Sequence, residues 1–152
     1  MVVRSGKDRQ NHAEPQDSGA RPMIDFSLDT YANFDPTPQS VPHARSFVLS
    51  QEWTTDEDNR ARLATLTSEI VTNVVLHART PFVVRVTGDS SCIRVAVSDG
   101  NTQPVVVKAH GPTSPTGRGL HIVKALSDRW GVDETAAGKT VWFELDEEVE
   151  SA

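Results

Sequence analysis

A carboxylate, a carboxamide and an imidazole recur at four-residue intervals near the middle of this chain: Glu69, Asn73 and His77. Successive helical residues turn by about 100°, so the spacing sets all three on one ridge of a helix. That ridge borders an apolar stripe of Leu63, Leu66, Ile70 and Val74 rather than opposing it. Polar groups at the margin of a buried face can form a pocket wall; the plainer alternative is a solvated face with a capped histidine. Asp99 directly follows the β-rich run 92–98. A carboxylate at a strand exit can accept from an exocyclic amine such as adenine N6. Guanine offers an acceptor at that place, a buried mismatch of about 1–3 kcal/mol. The alternative is an ordinary turn aspartate before Gly100. Gly117-Arg118-Gly119 opens a further helix. Glycines admit a close backbone approach, first-turn N–H groups and the helix dipole favour an anion, and Arg118 adds a planar phosphate donor. The alternative is a flexible lead into the helix.

These groups need elements to hold them. The spacing predicts a strand over 23–29 and a breaker stretch from Asp35 to Ser40. Helices are predicted over 41–53, 55–78 and 120–130, the last ended by Gly131. Thr54, Thr55 or Asp56 can cap the long helix, and Asp56, Glu57 and Asp58 suit the positive end of its dipole. Strands are predicted over 82–87 and 92–98 around a four-residue turn, and over 132–135 and 140–145. The segment 99–116 is long enough to be a lid or binding loop. The order implies an α+β fold: a mixed or antiparallel sheet with helices on one face. Trp53, Trp130 and Trp142 read as core; His12, His43, His110 and His121 read as scattered surface groups.

The 152 residues suit one domain, spanning 23–146, with tails at 1–22 and 147–152. The first tail mixes charges, amides, Gly and Pro without periodicity, so disorder is expected, a partner-binding arm being the alternative. The second is acidic. Fifteen Lys and Arg against 21 Asp and Glu give a net charge of −6, and no basic cluster argues for direct nucleic-acid binding. Cys92 is the single cysteine, so no internal disulfide or thiolate metal site is available. With no long apolar run and no secretory signal pattern, a soluble, cytoplasmic protein without membrane contact is expected. Two phosphate-binding patterns fail: G-x-G-x-x-G meets Ile122, and the P-loop pattern ending at Gly138-Lys139-Thr140 meets Asp133.

Taken in order, the motifs resemble the Bergerat-fold ATP-binding domain of the gyrase, chaperone and histidine-kinase superfamily, with the nearest likeness to anti-sigma factor serine/threonine kinases. The run from Leu66 to Ala78 resembles the family's N-box, Val97-Ser98-Asp99-Gly100 its adenine-binding strand exit, and Gly117-Arg118-Gly119-Leu120 its second glycine box. Leu126 to Gly131 and Gly138 to Phe143 resemble the closing helix and strands. The resemblance implies a two-layer sandwich with a mixed, mostly antiparallel sheet. It implies that Asn73 holds the Mg²⁺ bridging the ATP phosphates, that Glu69 is the general base, and that Asp99 binds adenine N6. Gly117, Arg118, Gly119 and Leu120 would then cradle phosphates, Thr140 would back up the adenine directly or through water, and the segment 100–116 would be the ATP lid.

The implied activity is phosphoryl transfer to a serine or threonine of an anti-sigma factor antagonist, together with sequestration of a sigma factor. Pairing of two copies is a further expectation from the resemblance. One departure supports a different reading: where the family's first glycine box has its glycines, this chain has Asn101 and Gln103, with Gly100 offset by one. The alternative is a regulatory binding module that uses ATP as a structural ligand or has lost it. An α+β domain with accidental motifs is the third reading.

Overall fold

The computed structural model describes residues 3–10, 25–102 and 115–147, with side chains described within 27–102 and 120–147. Nine regular elements follow in chain order: β1 (Val3–Gln10), β2 (Asp25–Phe34), α1 (Ser40–Leu49), α2 (Glu57–Asn73), β3 (Phe82–Asp89), β4 (Cys92–Asp99), α3 (Pro115–Leu126), β5 (Arg129–Thr135) and β6 (Gly138–Asp146). α2 runs on through one π turn, Val74–Ala78. The strands form one sheet in the order β1-β2-β3-β4-β6-β5. Every described pairing is antiparallel, so the mixed component expected of the sheet is not found.

Each strand sends alternate side chains to one covered face. On that face lie Leu28, Ala32 and Phe34 of β2, Phe82, Val84 and Val86 of β3, Ile93, Val95 and Val97 of β4, and Phe143 and Leu145 of β6, all buried. The helices supply the other half of the core. Leu63, Leu66, Ile70 and Val74 are all buried, as their helical spacing requires. Each contributes about 1.5–3 kcal/mol by leaving water. Phe34 stacks on Phe82 at 5.5 Å between centroids and meets Phe47 of α1 edge-on at 6.3 Å. The result is the expected α+β sandwich of two layers.

The start of α2 is set by capping. The Asp56 carboxylate accepts the Asn59 N–H at 3.2 Å, and Glu57 and Asp58 occupy the first turn. The Thr54 hydroxyl accepts the Asp56 N–H at 3.1 Å. At the other end Arg79 takes a left-handed conformation (φ 54°) and its N–H returns to the Val74 carbonyl at 3.0 Å.

Several boundaries differ from the sequence expectation. Val3–Gln10, within the segment read as a tail, pairs with β2 as an edge strand. β2 continues to Phe34, because small Thr30 and Ala32 keep the inward alternation without advertising it. α1 stops at Leu49, where positive-φ Glu52 turns the chain and Trp53 leaves the helix to donate its indole N–H to the Asp89 carbonyl at 2.9 Å. α3 begins at Pro115 and ends at Leu126, four residues before Trp130. The Asp128 N–H already bonds the Glu144 carbonyl at 3.0 Å, so sheet pairing takes the chain before helix can continue. Gly131 is therefore inside β5 and ends no helix. A Cβ there would lie 2.6 Å from the Trp142 ring. Trp142 itself is on the outer face, beneath the Arg94 guanidinium at 4.0 Å, and none of the three tryptophans is fully buried. His43 and His121 are exposed as expected; His12 and His110 lie outside the described residues. So do residues 103–114 of the segment 100–116 expected to form a lid, Gln103 included, and the chain after Glu147; Pro115 and Thr116 instead begin α3. Among the described residues, no helix is long and apolar enough to cross a membrane.

Candidate functional site

The site is built at one end of the sandwich. Three residues after the π turn of α2, the chain enters β3 at Phe82, which pairs with Asp99 at the end of β4. The Thr80 hydroxyl accepts the Gly100 N–H at 2.9 Å and closes this corner. The end of α2 and the end of β4 are thus tied within a few residues of each other. α3 packs on α2, and its C-terminal Leu126 carbonyl accepts from the Arg62 guanidinium at 2.6 and 3.0 Å. That contact sits in the first half of α2. A 12-residue helix is about 18 Å long, so its glycine-bearing first turn lies well away from the Arg62 end.

Asp99 is the most constrained polar group of the corner. β4 alternates strictly, and parity puts Asp99 on the inner face with Ile93, Val95 and Val97. Its side chain is 0% exposed. Oδ1 accepts the Asn101 N–H at 2.8 Å, whereas Oδ2 is buried without a hydrogen bond. A buried carboxylate oxygen left in that state costs about 1–3 kcal/mol or more. Gly138 makes the approach of β6 possible here: its φ is 146°, and a Cβ would stand 1.9 Å from the Asp99 carbonyl oxygen.

Glu69 and Asn73 are both half-buried, one helical turn apart, beside buried Ile70 and Val74. Neither side chain is engaged by a hydrogen bond or ion pair with a described residue. His77 sits in the π turn and is exposed.

Gly117, Arg118 and Gly119 fall in the first turn and a half of α3; their side chains lie outside the described set. Leu120 is buried, and Val123 one turn on belongs to the core cluster. Thr140 does not join the corner. It pairs with Ser98, its hydroxyl 2.7 Å from the Ser98 hydroxyl, on the sheet face away from Asp99. The expectation that Thr140 backs up a base bound at Asp99 therefore gives way to strand parity. The inward position belongs to its neighbour Lys139, which pairs with Asp99 across the ladder. Its Nζ is 3.7 Å from Asp99 Oδ2 and its side chain is only 14% exposed. The residue was visible in Gly138-Lys139-Thr140, but only the register of β6 against β4 shows which way it points.

As for a metal, no three His, Cys, Asp or Glu side chains among the described residues are grouped to hold one. A carboxamide oxygen such as that of Asn73 is a hard donor fit for Mg²⁺ when phosphate oxygens and water complete the shell.

The comparisons agree with this architecture. No curated protein sequence matches the chain. Among solved structures the chain is similar to the RsbU and RsbW domains of Rv1364c from Mycobacterium tuberculosis, with a TM-score of 0.59 and 20% identity. The match covers 77% of this chain and 31% of that one, so this chain spans less than a third of its length. That likeness is one of fold. The family model for the histidine kinase-like ATPase domain matches residues 34–145, from the end of β2 through β6. The chain belongs to the histidine kinase-like ATPase domain family.

Proposed function

We propose that the chain binds ATP at the corner formed by α2, β4 and the start of α3, and that it transfers the γ-phosphoryl group to a serine or threonine of an anti-sigma factor antagonist while sequestering a sigma factor. The observation that carries the reading is the fully buried Asp99 carboxylate with Oδ2 unsatisfied, tied by the Thr80–Gly100 corner to a helix whose last turns hold free Glu69 and Asn73. The partner class is suggested by the fold likeness to the RsbU and RsbW domains of Rv1364c.

In this reading Oδ2 accepts adenine N6–H, which fixes the nucleotide's orientation. The backbone N–H groups at the start of α3 face the phosphates, with Arg118 as an additional cation. Asn73 would hold Mg²⁺, which supplies charge neutralisation for the phosphate oxygens. Glu69 accepts the proton of the attacking hydroxyl. The new bond joins that oxygen to the γ-phosphorus, the bond from the γ-phosphorus to the β,γ-bridging oxygen breaks, and ADP leaves. Positioning and charge placement account for most of such a reaction, so this short set of groups suffices.

The test is transfer of label from γ-labelled ATP to a cognate antagonist. Glu69→Gln is expected to lower the transfer rate about 10²-fold or more while leaving ATP affinity within about twofold. Equal transfer by the variant and the parent contradicts the assignment. A second reading has its own observation: Asn101 stands at a glycine place of the first glycine box, and its N–H is bonded to Asp99. ATP binding without any transfer would favour a binding module that holds its partner without chemistry.

A further inference from the structure

Lys139 is the group at this corner to which the sequence motifs assign no role. A lysine ammonium carries three donors and no acceptor. Here it stands 3.7 Å from Asp99 Oδ2, within ion-pair range but beyond hydrogen-bond length. Charge-assisted contacts of this kind ordinarily close to about 2.7–2.9 Å. The open gap leaves a buried acceptor and a largely buried donor side by side, ion-paired but without a hydrogen bond between them. Oδ1 is already committed to the Asn101 N–H. The corner therefore offers one acceptor and one adjacent cationic donor.

Resting on the nucleotide reading above, we infer that Lys139 is a base-reading residue: its ammonium donates to adenine N1 while Asp99 Oδ2 accepts from the neighbouring N6 amine. Adenine presents this acceptor and donor on adjacent atoms of a single edge. Guanine presents O6 beside N1–H and then a second donor at N2. With Oδ1 held by Asn101, that second donor finds no free carboxylate oxygen, a mismatch of about 10- to 100-fold in affinity. The direct ammonium contact also occupies the place expected of Thr140, whose hydroxyl is turned to the outer face and bonded to Ser98. Lys139 thus takes a specificity role that strand parity denies to Thr140.

The test is calorimetric titration of the full chain with ATP, 1-deaza-ATP (C–H in place of N1), 7-deaza-ATP and GTP. The parent is expected to bind 7-deaza-ATP like ATP, and 1-deaza-ATP and GTP at least about tenfold more weakly. Lys139→Met should weaken ATP about tenfold and leave 1-deaza-ATP unchanged, so the two become indistinguishable. Equal affinity of the parent for ATP and 1-deaza-ATP overturns the role of Lys139 while leaving the nucleotide site standing. Tighter ATP binding by Lys139→Met also overturns it, since the lysine would then compete with the base for Asp99. Absence of ATP binding by the parent overturns the lysine role and the nucleotide reading together. If Lys139→Met fails to fold, the deaza series on the parent decides alone.

Discussion

At the scale of the residue, neighbours in sequence part company across a strand. Lys139 and Thr140 are adjacent, yet one meets Asp99 in the buried corner and the other meets Ser98 outside. Motif resemblance names the segment but not the parity, because parity is a property of the β4–β6 register, in which Asp99 faces Lys139. The positions of Glu69 and Asn73 on α2 and of Asp99 at the end of β4 were legible because their types and spacing are chemical facts of the sequence. The π turn that holds His77 carries no clear sequence mark. A different single residue governs the β3–β4 hairpin. Asp89 Oδ1 accepts the Ser91 hydroxyl at 2.7 Å, the Ser91 N–H at 2.8 Å and the Cys92 N–H at 3.0 Å. The Ser91 hydroxyl, then the Ser91 N–H, hold this carboxyl below the usual carboxylate range; slight burial opposes them and the Cys92 N–H adds to them. A carboxyl depressed in the folded state stabilises above its unfolded value of about 3.9, and the gain is lost as pH falls through the lower folded value. Thermal melts should show Asp89→Ala a few degrees less stable than the parent at pH 7. That gap should close in strongly acidic buffer; a gap that persists unchanged at pH 2 contradicts the assignment.

At the scale of the element, helix and strand existence was written in apolar periodicity, and the misplaced ends trace to tertiary pairing. The helix predicted over 120–130 loses its last four residues to the sheet, where Asp128, Arg129 and Trp130 find partners on β6. The mark that looked like a helix stop, Gly131, is instead a floor for the Trp142 ring. Gly138 is the element-scale keystone of the site. Its φ of 146° and the 1.9 Å approach of a would-be Cβ to the Asp99 carbonyl leave no room for a side chain, and the blocking atom is backbone. Gly138→Ala should cost about 2–4 kcal/mol in chemical denaturation, from the strained backbone and the forced separation of β6 from β4. ATP affinity should fall with it, because Lys139 and Asp99 ride on the two strands that must part. A stability change under about 0.5 kcal/mol would mean that the two strands tolerate separation here.

At the scale of the whole molecule, the α+β sandwich was legible from element order, and the long helix α2 packs against both the other helices and the sheet. The edge strand β1 was not legible: Val3–Gln10 is polar and aperiodic, and the ladder it makes with β2 is a backbone matter. The proposed nucleotide site lies at the rim of the sandwich, where the helical layer and the sheet share a corner and Asp99 Oδ2 is buried without a hydrogen bond. Calorimetric titration of ATP into the parent, Asp99→Asn and Asn73→Ala tests that placement. The parent should bind, and each variant should bind at least about tenfold more weakly, a loss of about 1.4 kcal/mol, while keeping the parent's circular dichroism spectrum. Unchanged affinity in both folded variants would contradict a nucleotide site at this corner.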